Sequence, residues 1–464
     1  MPSETPPLPP EPIAEPPRRS WPRRMLNRLE VNQAVFFAIC VRGWQFAAGP
    51  VTLLLIAHYF SEEMQGYYYT FGSVVGLQMF FELSLPQVLI NSTSHEWDGL
   101  ELSGDGYVVG DRRRRSRLGS LFRIAMRWYL IAAVLSFFVV AAAGFWFFGG
   151  PRESENIAWQ WPWLAVVLGS SFSLLLSPCM AVLEGCHQVQ PVYKNQLTRS
   201  VLGTMAVWIS IPMGAGLWVP AIVSVVRVGC EAAFVGGRYR NFFVSLWRQP
   251  VVVDFQWFQE VWPFQWRMTV KGFFGFFNAY LLVPVLFYFH GPIPAGRMGM
   301  TWQVLGTLLE ASGSWVRARM PLFGSLIARR NFSELDRVFR RVSCVALGIL
   351  LVALVAVNVL VLLLDAFLPK IGDRLLSPLP VFLLSLAILV VFVVESLWRY
   401  VHCHLSAPYI KWALAGDVLN GLLVLALVKP FGAVGVAAGY LAANALFKLP
   451  LAIFVWRKIR QRWH

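Results

Sequence analysis

Between residues 34 and 456 this 464-residue chain repeats one feature twelve times: an apolar run of 17 to 28 residues. The runs lie at 34–57, 67–90, 121–148, 163–183, 197–213, 217–237, 263–289, 298–320, 342–364, 378–400, 411–428 and 431–456. A helix of that length crosses the ~30 Å hydrocarbon core of a bilayer. Within that core an unpartnered backbone N–H or C=O costs several kcal/mol, so a chain spans it only as helices or as a closed barrel. The runs are apolar throughout instead of alternating with period two, which selects helices. Hydrophobic residues at 57% and charged residues at 14% agree with that choice. The expected fold class is an all-α integral membrane protein with twelve transmembrane helices.

Basic residues mark the side on which short loops are retained. Of forty Lys and Arg, only Arg152, Arg297, Lys370, Arg374 and Lys429 fall in the alternate connections opposite the N-terminus. Both termini are therefore expected in the cytoplasm. The net charge of +15 is mainly a topology signal, and no nucleic-acid partner is expected. The six cysteines lie in spans or at their ends without disulfide spacing. The tract His402–Cys403–His404 lacks further ligands at zinc-like spacing, so no metal is expected there.

Composition divides the chain further. Residues 1–33 are proline-rich and basic and read as a disordered cytoplasmic tail and anchor. Residues 34–237 form an N-terminal six-helix lobe, 238–262 a cytoplasmic or interfacial linker rich in tryptophan, 263–458 a C-terminal six-helix lobe, and 459–464 a cytoplasmic tail. The segment before the third span carries Arg112 to Arg115, Arg117, Arg123 and Arg127, a cluster suited to topology retention or to anionic lipid. The halves resemble each other weakly. Shifted onto the first half, "VKG" at 270–272 falls on "VRG" at 41–43, and with one more residue in the following loop Gly296, Val304 and Gly306 fall on Gly66, Val74 and Gly76. Such recurrence is what a parallel repeat about an axis along the membrane normal produces.

Charges inside the spans are the candidate site, because each is costly in lipid unless it faces a partner or a cavity. Arg42 lies ~12 Å deep in the first span, Lys271 at a matching depth in the seventh, and Arg267 one turn nearer the cytoplasm. Arg227 and Lys448 are further candidates for binding an anion. For Arg227 the local alternative is an i,i+4 pair with Glu231, and for Lys448 it is snorkelling. The acidic residues Glu82, Glu231, Glu310, Glu395 and Asp417 either serve as counter-ions or carry a coupling ion. Glu82 and Glu310, in corresponding second helices, are the expected partners of Arg42 and Lys271. Trp44, Phe46, Phe273, Phe274 and Phe277 stand beside the cations and could stack on sugars, although at 15% aromatic residues lipid-facing packing is the expected role of most. No catalytic residue is expected, because the external loops are short and carry no acid and base pair.

The stretch "GPVTLLLIAHYFSEEMQGYYYTFGSVVGLQMFFELSLPQVL" resembles the opening of polysaccharide and lipid-linked oligosaccharide flippases of the multidrug/oligosaccharidyl-lipid/polysaccharide exporter superfamily. "VLEGCHQVQPVYKNQLTRSVLG" and "FGAVGVAAGYLAANALFKLPLAIFVWRK" are similar to later parts of the same family, with Ser84 standing where a glycine is often found. The resemblance implies two pseudo-symmetric six-helix bundles around a cation-lined central cavity. It also implies alternating access and translocation of a polyprenyl-diphosphate-linked glycan across a bacterial inner membrane, in company with membrane lipids and other polysaccharide-assembly proteins. No cofactor is implied beyond coupling to H⁺, Na⁺ or the membrane potential. A multidrug or cation exporter of the same superfamily is the alternative, and a membrane glycosyltransferase or polymerase is a third reading.

Overall fold

The computed structural model describes residues 33–150, 157–250, 255–260, 262, 265, 266, 269, 270, 273, 275, 276, 280–404 and 410–463. The expected N-terminal tail, Arg267, Lys271, Phe274 and Phe277 lie outside the described residues.

Among the described residues the chain is all-α apart from one small hairpin. Its main helices are α1 (Gln33–Tyr59), α2 (Glu62–Val75), α3 (Leu85–Trp97), α4 (Arg112–Phe148), α5 (Gln160–Gly185), α6 (Val189–Ser210), α7 (Val219–Ala233) and α8 (Arg240–Arg248). They continue with α9 (Leu282–His290), α10 (Pro292–Arg317), α11 (Met320–Ala328), α12 (Phe332–Phe367), α13 (Pro378–Cys403), α14 (Ile410–Ala442) and α15 (Leu449–Trp463). Among the described residues seven stretches, eight with the bent α2–α3 pair, are long and apolar enough to cross a membrane by length and composition. One of these, Trp412–Gln461, is two legs, because the chain reverses inside α14 at Gly432 (φ 56, ψ −132). A Cβ on Gly435 would stand 2.0 Å from the Leu427 carbonyl, so the legs need glycine there to pass. The expected fifth and eighth spans are the helices α6 and α10. Both fall short on hydropathy because each carries a polar face, Gln196, Arg199, Ser200 and Thr204 on one and Gln303, Thr307, Glu310 and Ser314 on the other, which lines an internal cavity.

We call the end where α1 begins and α15 finishes the basic face, and the opposite end the far face. The second expected span is not continuous. Helix stops at Glu82, Leu83 (φ 49) and Ser84 (φ 56) both take the left-handed conformation, and α3 restarts at a 41° bend with Pro86 in its first turn. Ser84, standing where the resembled family often has glycine, sits in the backbone region that glycine occupies without steric cost. Thr269 donates its hydroxyl to the Leu83 carbonyl at 2.9 Å, so a residue of the seventh-span region satisfies an acceptor released by the break.

On the basic face the acidic, glycine-containing loop before α4 is ordered. Leu100–Leu102 (β1) and Val108–Gly110 (β2) pair antiparallel, and Trp97, Leu100, Val108 and Phe122 pack with Phe242, Phe243 and Leu246 of α8. Much of the arginine cluster is used in holding this cap together. Arg114 pairs with Asp98 at 2.9 Å, Arg117 with Glu96 at 2.9 Å, and Arg123 donates to the carbonyls of Leu246, Trp247 and Gln249 at the end of α8.

The far face is closed where α2 crosses α10. A Cβ on Gly66 would come within 2.1 Å of the Pro292 carbonyl oxygen, and one on Gly296 within 2.8 Å of the Gly66 nitrogen. Gly66 and Gly296 are the glycines that the sequence repeat superimposes. Counterpart residues of the sequence repeat therefore meet at this crossing, as a two-fold axis passing through it would require.

Candidate functional site: a cationic cavity behind a sealed far face

Between the seal and the basic face, α1, α6, α7 and α10 enclose a cavity of about 750 Å³. Arg42 of α1, Arg199 of α6 and Arg227 of α7 line it, opposite Glu310 of α10. Arg42 and Arg227 are exposed to this space, and among the described residues neither has an ion-pair partner. The expected pairing of Arg227 with Glu231 is replaced. Glu231, 3% exposed, takes Arg199 from the adjacent helix α6 and accepts from the Ser173 hydroxyl at 3.4 Å, so Arg227 is released into the cavity. Arg199 was not among the sequence candidates, because it stands only three residues into the fifth apolar run. The helix begins at Val189, about three turns before it, and carries it inward.

Glu82 is not the partner of Arg42. It ends its helix beside Tyr129 of α4, away from the cavity, and has no ion-pair partner among the described residues. Glu310 does share the cavity wall with Arg42, and its carboxylate accepts from Arg317 at 2.7 Å.

Glu310 also lines a second cavity of about 480 Å³, reached between α10, α13, α14 and α15, where Glu395, Asp417 and Lys448 converge. Lys448, a candidate for anion binding with snorkelling as its alternative, is 6% exposed and meets Asp417 at 2.6 Å. The lysine lies on a π-helical turn, Ala443–Lys448, and Gly416 leaves room for its stem, since a Cβ there would touch Lys448 Cγ at 2.8 Å. Glu395 pairs with Arg399 one turn on. His402 lines this cavity, whereas His404 is buried against Phe332 and Tyr400, so the histidines of the HCH tract point to different places. Among the described residues no three His, Cys, Asp or Glu side chains are grouped to hold a metal.

Aromatic residues divide between structure and site. Trp44 donates to Thr204 at 3.2 Å and Trp208 to Thr52 at 3.0 Å, two indole bonds that hold α1 against α6. Phe46 and Trp302 face the cavity. Phe273 packs on Phe80 at 4.9 Å.

The far-face seal holds residues that sequence reasoning missed. Gln65, 1% exposed, donates to the carbonyls of Gly296 at 3.0 Å and Arg374 at 2.9 Å. Arg297 pairs with Glu62 at 2.9 Å and stands 4.0 Å from Asp373. All of these looked like short-loop residues, and only the crossing of α2 and α10 brings them together. A crevice of about 1120 Å³ lies outside this seal, between the end of α1 and residues 367–374.

A multi-pass bundle with a cavity between its halves, closed at one end, is also the fold of several solved membrane transporters, and this chain has that fold. It is similar to the lipid II flippase MurJ in an inward closed conformation, with a TM-score of 0.63 and 13% identity over 91% of this chain and 87% of that one. It is similar as well to an inward-facing multidrug resistance transporter of the MATE family, with a TM-score of 0.62 and 13% identity over 89% of this chain and 98% of the other. A MATE transporter in complex with MaL6 matches with a TM-score of 0.57 and 13% identity over 95% and 96% of the two chains. No family model matches the sequence, and neither does any curated protein.

Proposed function

We propose that the protein is a flippase which moves a lipid-linked anionic headgroup, a polyprenyl-diphosphate glycan, across the bacterial cytoplasmic membrane by alternating access. The observation that carries the reading is the charge balance of the central cavity. Arg42 and Arg227 face it without counter-ions among the described residues, while Glu231 and Glu310 are already matched to Arg199 and Arg317. Unmatched guanidinium groups in a bundle interior are retained at a cost and bind phosphate oxygens through charge-assisted, often bidentate hydrogen bonds. Phe46 and Trp302 offer flat faces for a sugar. In this proposal Arg267 and Lys271 join the cationic wall on sequence grounds, and both termini lie in the cytoplasm, so the sealed far face is external.

Release of the headgroup requires the Gln65, Glu62 and Arg297 contacts to part while the basic side closes. Coupling to H⁺ or Na⁺ falls to Glu82 in this scheme, a carboxyl without an ion-pair partner among the described residues at the bend between α2 and α3. Glu395 and Asp417 act as counter-ions to Arg399 and Lys448. A cationic-drug exporter would need an unmatched carboxylate in the central cavity, where the described residues place unmatched arginines. Other polysaccharide-assembly proteins would hand over and receive the lipid.

The test is translocation of lipid-diphosphate glycans in proteoliposomes, with uptake of a cationic dye as the competing assay. Arg42→Ala and Arg227→Ala are each expected to slow flipping about tenfold, the loss of one charge-assisted contact. Dye transport that persists in both variants, without glycan flipping by the wild type, would overturn the reading in favour of drug export.

A further inference from the structure

Close to the basic face, where the first turns of α12 meet the last turns of α13 and α15, there is a third space, a groove of about 300 Å³ separate from both transport cavities. Its walls are apolar: Phe339 and Leu347 of α12, Phe392 and Leu397 of α13, and Trp456 of α15. Two polar atoms buried at this groove, Ser343 Oγ and Trp456 Nε1, have no hydrogen-bond partner. An indole N–H away from water is normally matched, because a buried donor left open is costly. The mouth is basic. Asp336 is its acidic group and is already bound, to Arg460 at 2.5 Å and to the Tyr400 hydroxyl at 2.9 Å. Arg340 is exposed at the same mouth and has no ion-pair partner among the described residues.

We propose that this groove is a binding site for an anionic membrane phospholipid, unconnected with the transported cargo. One acyl chain lies along Phe339, Leu347, Phe392 and Leu397, the phosphate sits on Arg340, and lipid oxygens accept from Ser343 and Trp456. The residues commit the site to this occupant. A neutral apolar molecule would fill the walls but leave two donors and a guanidinium unmatched. A free phosphate would satisfy the mouth and leave the walls empty. The placement agrees, since the groove's polar end lies where Arg457, Lys458 and Arg460 mark the headgroup level.

Cys344 lines the groove and is exposed, which supplies a reporter. The full chain in a neutral detergent is titrated with phosphatidylglycerol or phosphatidylcholine, and alkylation of Cys344 is followed by peptide mass spectrometry. Phosphatidylglycerol is expected to protect Cys344 at roughly tenfold lower concentration than phosphatidylcholine. Arg340→Ala should remove that preference and Arg340→Lys should keep most of it. Leu347→Trp, which fills the groove with protein, should make Cys344 insensitive to either lipid. Equal protection by the two lipids in the wild type, or a preference that survives Arg340→Ala, overturns the proposal.

Discussion

Arg199 and Arg227 stand on neighbouring helices and have opposite roles, because Glu231 of α7 is committed to Arg199. Glu231 is almost fully buried, so removing Arg199 strands a charge. Arg199→Ala should therefore destabilise the protein by about 3–5 kcal/mol, seen as a large drop in Tm in detergent, and adding Glu231→Gln should restore most of it. Arg227→Ala should leave Tm within the change typical of exposed sites, about 0.5 kcal/mol, and act on transport alone. Ser84, held at φ 56, makes the converse case. Ser84→Gly is expected to stabilise by about 1 kcal/mol, read from the same melts. Single residues were legible in the sequence where they broke a pattern. Arg42 stood out as a charge deep in an apolar run. Arg199 did not, since its depth depends on where α6 begins, and polar residues at the start of that helix hid its beginning.

Elements are positioned by their ends as much as by their apolar faces. Helix α4 starts on the basic face outside the apolar core, where Asp111 accepts from the Arg114 amide at 2.8 Å and caps it. That backbone bond holds the Asp111 carboxyl below the usual carboxylate range. With its folded pKa depressed, Asp111 contributes stability above about pH 4, and this is lost as pH falls through the lowered value. Amide exchange in the first turns of α4 should quicken below that range, and Asp111→Ala should give the fast rate already at neutral pH. Nine of the twelve expected spans pass on hydropathy among the described residues, with the bent α2–α3 pair as one and Trp412–Gln461 as two, because lipid-facing sides demand it. The bend at Leu83 and Ser84 was not legible in the sequence, for within "ELSLPQVL" only Pro86 marks a helix start, and the left-handed residues carry side chains where glycine would have given the signal. The β1–β2 hairpin escaped notice for a related reason: three-residue strands are too short to show a period.

For the molecule as a whole, the weak repeat in the sequence proved more informative than its few identities suggested. It sets Gly66 against Gly296, and the structure brings those two residues together, at the backbone contact of Gly66 with Pro292 and Gly296. A side chain there cannot be accommodated while the far face is sealed. Gly66→Val should populate a state open at that face, measured as faster labelling, by a maleimide supplied from the far-face side of proteoliposomes, of a cysteine introduced at the cavity residue Thr307. Unchanged labelling would show that the seal does not depend on this approach. The cavity charge was only half legible, because counter-ions come from other helices and their assignment needs three dimensions. The meeting of two counterpart glycines has one more implication. Each glycine is the other's neighbour, so evolution cannot loosen one side independently: damage at Gly66 and damage at Gly296 should produce one shared phenotype, and the double variant should be little worse than either.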